Sequence, residues 1–402
     1  MAKPWLCAAL VVGFILAGAP VSTALAAGQI AARGAEVAIT AAEKAIVRGA
    51  KATTDGDLDT AIREFDEAVR LDPRLGAALV NRGHVYALKG DNDRAIADFD
   101  KAIALNANDA LAFNSRGLAW SAKGDNDKGL ADMSAAIAAD PGLAAAYANR
   151  GYIHHLRGNE AAALADLDKA ISLAPTAAAY DNRGLVRRAT GDDRAAAADF
   201  SEAIRIDANF AQAYSDRGAA LRRLGDLDAA MPDLDKAIAL KADFASPHNE
   251  RALALMSRQD FAGAITDLDI AVRLDPKNAS IIGNRGWAYH STGDDVKGSA
   301  DLDAAIALDP RSVNLRNNRC IVRAKRGDLD GALSDCDEAL KLSPSSAQIY
   351  DTRAEVRFLK GDYAGAVADF DKFADLQPSF PQIADRRAAA VAKMPIVIPP
   401  AQ

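Results

Sequence analysis

The chain has 402 residues, half of them apolar and only 6% aromatic, with a formal net charge of −7. The charges are spread along the chain with no long basic run, so the electrostatic footprint of a nucleic-acid binder is missing. An alanine-rich, charge-rich composition with few β-branched runs favours helix.

The first 26 residues differ from the rest. Lys3 supplies a positive start, Leu6 to Ala17 a short apolar run, and Ala24-Leu25-Ala26 the small residues a signal peptidase needs. The run falls short of the ~20 apolar residues that span a bilayer, so it predicts a cleaved leader, cut near Ala26, and a periplasmic or secreted chain. Cys7 leaves with the leader, residues 27–39 form a lead-in, and no later segment is apolar enough to span a membrane.

From residue 40 the dipeptide Gly-Asp recurs at Gly56, Gly90, Gly124, Gly191, Gly225, Gly293, Gly327 and Gly361, with Gly158-Asn159 and Gln259-Asp260 in the gaps. The interval is 34 residues, once 33, and an arginine stands eight residues before every mark. Around Gly90, Leu79, Gly83 and Tyr86 recur at helical spacing before the mark, and Ala95, Phe99 and Ala102 after it. Glycine suits the left-handed end of the first helix and aspartate caps the second. Prolines such as Pro73, Pro141 and Pro310 stop the second helix. Each unit therefore reads as a helical hairpin that buries its apolar face only by stacking on its neighbours. Residues 40–378 hold ten such units, 379–393 a lone capping helix with Arg387 in register, and 394–402 a Pro-rich extended tail.

The period and the order Gly49, Ala61, Phe65, Ala68, Pro73 resemble the tetratricopeptide repeat (TPR) family. The resemblance implies an all-α, right-handed superhelical solenoid whose first helices line a concave groove that binds other proteins or extended peptides. Arginine stands where the family often has leucine, as in Asn81-Arg82-Gly83. The family's carboxylate clamp for chaperone tails needs lysine and asparagine on adjacent first helices. The matching places here, Val80, Asn114, Ala148 and Asp181, include no lysine, so that clamp is absent.

Arg82, Arg116, Arg150, Arg183, Arg217 and Arg285 have companions one helix later in Asp98, Asp132, Asp166, Asp199, Asp233 and Asp301. Hairpin geometry puts arginine and acid at similar heights, so a bidentate ion pair serves as a repeated strut. Spacing leaves open whether each pair forms within one repeat or between two. Between the packing positions of the first helices lie Tyr152, His155, Arg188, Arg222, Arg223, Trp287 and His290. Aromatic and arginine side chains are common binding anchors, and here aromatics flank a basic centre suited to a partly acidic peptide. A groove on the order of 80–100 Å accommodates an extended peptide, and a small molecule does not need it.

Cys320 and Cys336 fall at core places of one hairpin. Two buried thiols are the default reading; an oxidising compartment makes a disulfide the alternative. His84, His154, His155, His248 and His290 lack partners at ligand spacing, so no metal and no cofactor is expected. No nucleophile, phosphate-loop or dinucleotide motif occurs, so no enzyme is expected. The functional expectation is a scaffold in assembly of a cell-envelope complex. The alternative is an accessory subunit of an exopolysaccharide export machine, touching glycan through Tyr152 and Trp287.

Overall fold

A computed structural model describes residues 40–378, 380 and 382–393; the leader, the lead-in and the tail lie outside these residues. The described residues form 21 helices and no strand. The chain divides into two units, Met1–Leu224 and Gly225–Gln402.

In the first unit α1 (Ala41–Thr54) pairs with α2 (Leu58–Leu71), α3 (Gly76–Leu88) with α4 (Asn92–Leu105), and α5 (Ala110–Ala122) with α6 (Asn126–Ala139). Then α7 (Ala144–Leu156) pairs with α8 (Glu160–Leu173) and α9 (Ala177–Ala189) with α10 (Asp193–Ile206), and α11 (Ala211–Arg223) closes the unit. The second unit opens with α12 (Leu227–Leu240). Its hairpins are α13 (Ala245–Ser257) with α14 (Phe261–Leu274), and α15 (Ala279–Ser291) with α16 (Asp295–Leu308). They continue as α17 (Val313–Lys325) with α18 (Leu329–Leu342), and α19 (Ala347–Lys360) with α20 (Tyr363–Leu376), and α21 (Gln382–Lys393) packs on α20. There Ile383 and Ala390 join the core of Phe370 and Phe373.

The turns follow local chemistry. Gly90 adopts φ 79° and Asp91 then accepts the Arg94 amide at 3.0 Å, one of the orphan donors that open a helix. Gln259 takes the same left-handed turn at φ 63°, where a side chain costs about 1–2 kcal/mol.

Inside a hairpin the small residue of the first helix faces the large residue of the second. A Cβ added at Gly83 would lie 2.7 Å from the Phe99 ring, and one at Gly184 2.6 Å from Phe200. At Gly151 it would meet Leu167 at 2.9 Å and the Ala163 carbonyl oxygen at 3.0 Å. The missing side chains let the helices approach and seat Phe99, Leu167 and Phe200 out of water.

Within each unit the odd-numbered helices of successive hairpins also touch: α1 to α3 and onward to α11, and α13 to α15, α17 and α19. These first helices form a continuous row in each unit, and that row carries the candidate site.

Candidate functional site

The arginines mark one edge of the row. Arg82 donates from Nε and Nη2 to the two oxygens of Asp98, each at 2.7 Å, and from Nη1 to Asp66 of the preceding hairpin at 2.7 Å. The same fork joins Arg116 to Asp132 and Asp100, Arg183 to Asp199 and Asp168, and Arg285 to Asp301 and Asp269. It recurs at Arg251, Arg319 and Arg353. Arg150 grips Asp166 and takes Ser134 as its second partner, and Arg217 likewise reaches Ser201. Arg387 on α21 makes the backward contact, to Asp371.

Each forked arginine therefore closes its own hairpin and holds the one before it. The hydrogen bond to Asp98, opposed by burial, raises the Arg82 pKa above its ordinary value, so this strut stays charged. The second row of acids was overlooked in the sequence. Its signal is the Asp-x-Asp pattern, as in Asp98-Phe99-Asp100 and Asp166-Leu167-Asp168.

The groove candidates are more committed than their sequence positions suggest. Arg188 donates to Asp216 of the next first helix at 2.7 Å, and Arg223 to Asp193 at 3.0 Å. At these two residues of the expected basic centre each guanidinium already faces a carboxylate. Arg222 is half-buried on α11, and Tyr152 half-buried on α7. The His155 ring bonds Glu160 at 2.7 Å and the His290 ring bonds Asp295 at 2.5 Å, in each case across the turn to the start of the second helix. The Trp287 ring lies 5.1 Å from that of His290, so the two form an aromatic pair on α15.

The places compared with the carboxylate clamp are buried, not displayed: Val80, Asn114, Ala148 and Asp181 all lie at the contact between first helices. Where this register holds a polar residue it can carry a rung between neighbours. Asn149 Nδ2 donates to Asn114 Oδ1 at 2.9 Å, Asn284 Nδ2 to Asn249 Oδ1 at 2.9 Å, and Arg386 donates to Asp351. Asn182 has no partner for its amide because Ala148 stands where an acceptor would be.

Cys320 on α17 and Cys336 on α18 are joined as a disulfide, with 6.0 Å between their Cα atoms. They occupy the places of Gly83 and Phe99, 16 residues apart, which the hairpin brings level. That level pairing explains why the bonded state, and not two separate thiols, is found. Reduction should lower the stability of the second unit by about 3 kcal/mol, the entropy of a loop of this size. Urea unfolding with and without dithiothreitol measures it, and coincident curves would contradict a stabilising bond.

Among the described residues no group of three or more His, Cys, Asp or Glu side chains is placed to hold a metal. His84 bonds the Ser115 hydroxyl at 2.6 Å, and burial pulls its pKa down to about 4, so it is a neutral packing residue. No described helix is long and apolar enough to cross a membrane.

Three family models match the chain. One, described as TPR repeat, covers residues 83–124; two described as tetratricopeptide repeat cover 115–178, 249–313 and 321–381, and 211–244. The search of curated proteins gave no match. Among solved structures, the APC/C hetero-tetramer Cut9-Hcn1 aligns with a TM-score of 0.51 at 13% identity, covering 88% of this chain and 96% of that one. A tetratricopeptide repeat protein from Parabacteroides merdae aligns at 0.48 and 19% identity, covering 61% and 97%. Yeast Tom70 aligns at 0.46 and 18% identity, covering 86% and 88%. At these identities the likeness is one of fold. With the repeat period, the hairpins and the family models in agreement, the chain belongs to the tetratricopeptide repeat family and is a protein-interaction scaffold.

Proposed function

We propose that the chain works in the cell envelope, holding partner proteins or extended peptides against its first-helix rows while a complex is assembled. The observation that carries the compartment is the Cys320–Cys336 disulfide, a bond that persists in oxidising surroundings and agrees with the leader-like N-terminus. Binding, and not catalysis, fits a chain whose arginines and acids recur as struts. Side chains repeated for packing leave function to the places that vary, such as Tyr152 and Trp287. Because Arg188 and Arg223 are already paired, recognition at these places rests on aromatic contact more than on a free positive charge.

Two measurements test this reading. Fractionation of the native cell, with the thiols alkylated before and after reduction, should find the chain in the envelope fraction with both cysteines blocked. A photo-crosslinker placed at Trp287 should capture the same partner as intact cells do, and Trp287→Ala should weaken that capture about tenfold, as for an anchor worth more than 1 kcal/mol. A cytoplasmic chain with free thiols would remove the envelope assignment. Capture of envelope polysaccharide and no protein would replace the scaffold with a glycan-contacting export subunit.

A further inference from the structure

One rung between first helices cannot close with the atoms the sequence supplies. In Asn149–Asn114 and Asn284–Asn249, residues 35 apart, one amide donates and the other accepts. The equivalent places on α9 and α11 hold Asp181 and Asp216, also 35 apart. Two carboxylates bring four accepting oxygens and no donor.

Asp216 is satisfied, with Arg188 Nη1 on Oδ1 at 2.7 Å and Gln212 Nε2 on Oδ2 at 2.5 Å. Asp181 is not: its Oδ1 is buried without a hydrogen-bond partner. Asp181 is 2% exposed and Asp216 4%, so an outside group cannot reach between them while the helices stay in contact. A second ionised carboxylate at this depth, beside the first, is strongly disfavoured. The smallest group that completes the rung is a hydrogen ion.

We propose that Asp181 and Asp216 hold one proton between them, Asp181 as the neutral acid donating to the Asp216 carboxylate, and that this proton locks the joint between α9 and α11. Loss of the proton to solvent leaves two facing anions, and the joint loosens. The rung is thus a pH-sensitive joint in the row that presents the binding face. It does not depend on which partner binds there.

Arg188 is part of the rung, and the other charges nearby are held by partners of their own. On α9, Arg188 is engaged by Asp216. On α10, Asp199 is held by Arg183 and Arg187, and on α8 Asp168 is held by Arg183. On α11, Arg217 donates to Ser201 of α10. At the corresponding places α7 brings Ala148 and Asn149, neither of them charged. Burial first, and the Asp216 charge second, push Asp181 well above the usual carboxylate range, against the pull of Arg188.

The sign follows from which state holds the proton. A pKa raised by folding gives stability that is whole below the unfolded aspartate value of about 3.9 and is lost as pH rises to the folded value. Across that interval the folded chain binds one proton more than the unfolded chain, so opening of the joint becomes about tenfold easier per pH unit.

The test uses the full chain. Infrared spectra of the wild type at neutral pH should show a protonated-carboxyl stretch, absent in Asp181→Asn. Hydrogen-exchange protection of α9 and α11 should fall with rising pH in the wild type, by about tenfold per unit more than in Asp181→Asn, which keeps a donor at that place without a titrating group. A wild type with no protonated carboxyl, or an Asp181→Asn chain with the wild-type pH slope, would overturn the proposal. The wild-type spectrum decides even if a variant fails to fold.

Discussion

Arg82→Ala should destabilise the first unit by about 3–5 kcal/mol, the usual cost of removing one partner from a buried ion pair. The Arg82 side chain is 13% exposed and that of Asp98 only 4%, so solvent cannot take over the lost contacts. With the guanidinium gone, the nearest remaining cation to Asp98 is Lys101, at 3.9 Å and on the exposed side. The backward bond to Asp66 also goes, so the loss is felt in the hairpin of α1 and α2 as well as in that of α3 and α4. Arg82→Lys should restore little, because a point charge cannot span two carboxylates on different helices. Adding Asp98→Ala to Arg82→Ala should recover part of the loss, since the uncompensated buried charge is then gone. Denaturant unfolding followed by circular dichroism, with exchange protection read helix by helix, measures all of these. A wild-type midpoint for Arg82→Ala would show that the ladder is not a strut.

Phe99→Ala should cost a comparable 3–5 kcal/mol, by emptying the place where α4 meets α3. Phe99 is fully buried, packs against the bare backbone at Gly83, and meets the His84 ring edge-on at 5.4 Å. The cavity cannot collapse easily, because the struts at Arg82 hold both helices at fixed separation. Gly83→Leu alone should also destabilise, since its Cβ would enter the Phe99 ring. Combined, Gly83→Leu and Phe99→Ala exchange the large and small partners. The pair should lose clearly less than the sum of the two single losses. Thermal or urea unfolding of the four proteins closes that cycle, and strict additivity would mean that the two residues do not share one packing site.

The repeats differ mainly where they carry function or adjustment. Cys320–Cys336 replaces the glycine–phenylalanine contact with a covalent one, giving up a large apolar side chain for a cross-link. Ser134 and Ser201 replace the second acid of the strut, so Arg150 and Arg217 make a neutral backward contact there. Gln259 replaces the turn glycine and accepts left-handed strain. None of these substitutions disturbs the hairpins, because each repeat is held by several independent contacts to its neighbours.

The repeat period, the hairpins and the caps were all legible in the sequence. They depend on helical periodicity and on turn chemistry within a few residues, which act on any chain carrying those patterns. Arg82 and Asp98 could be named as partners because every unit repeats them. Asp66 as the third member, the neutralised state of Arg188 and Arg223, the bonding of Cys320 to Cys336, and the carboxyl rung at Asp181 and Asp216 came only from the folded chain. Each joins side chains on different helices, and whether two such groups meet is set by helix register and rotation. Packing decides those quantities, and no local pattern in the chain states them.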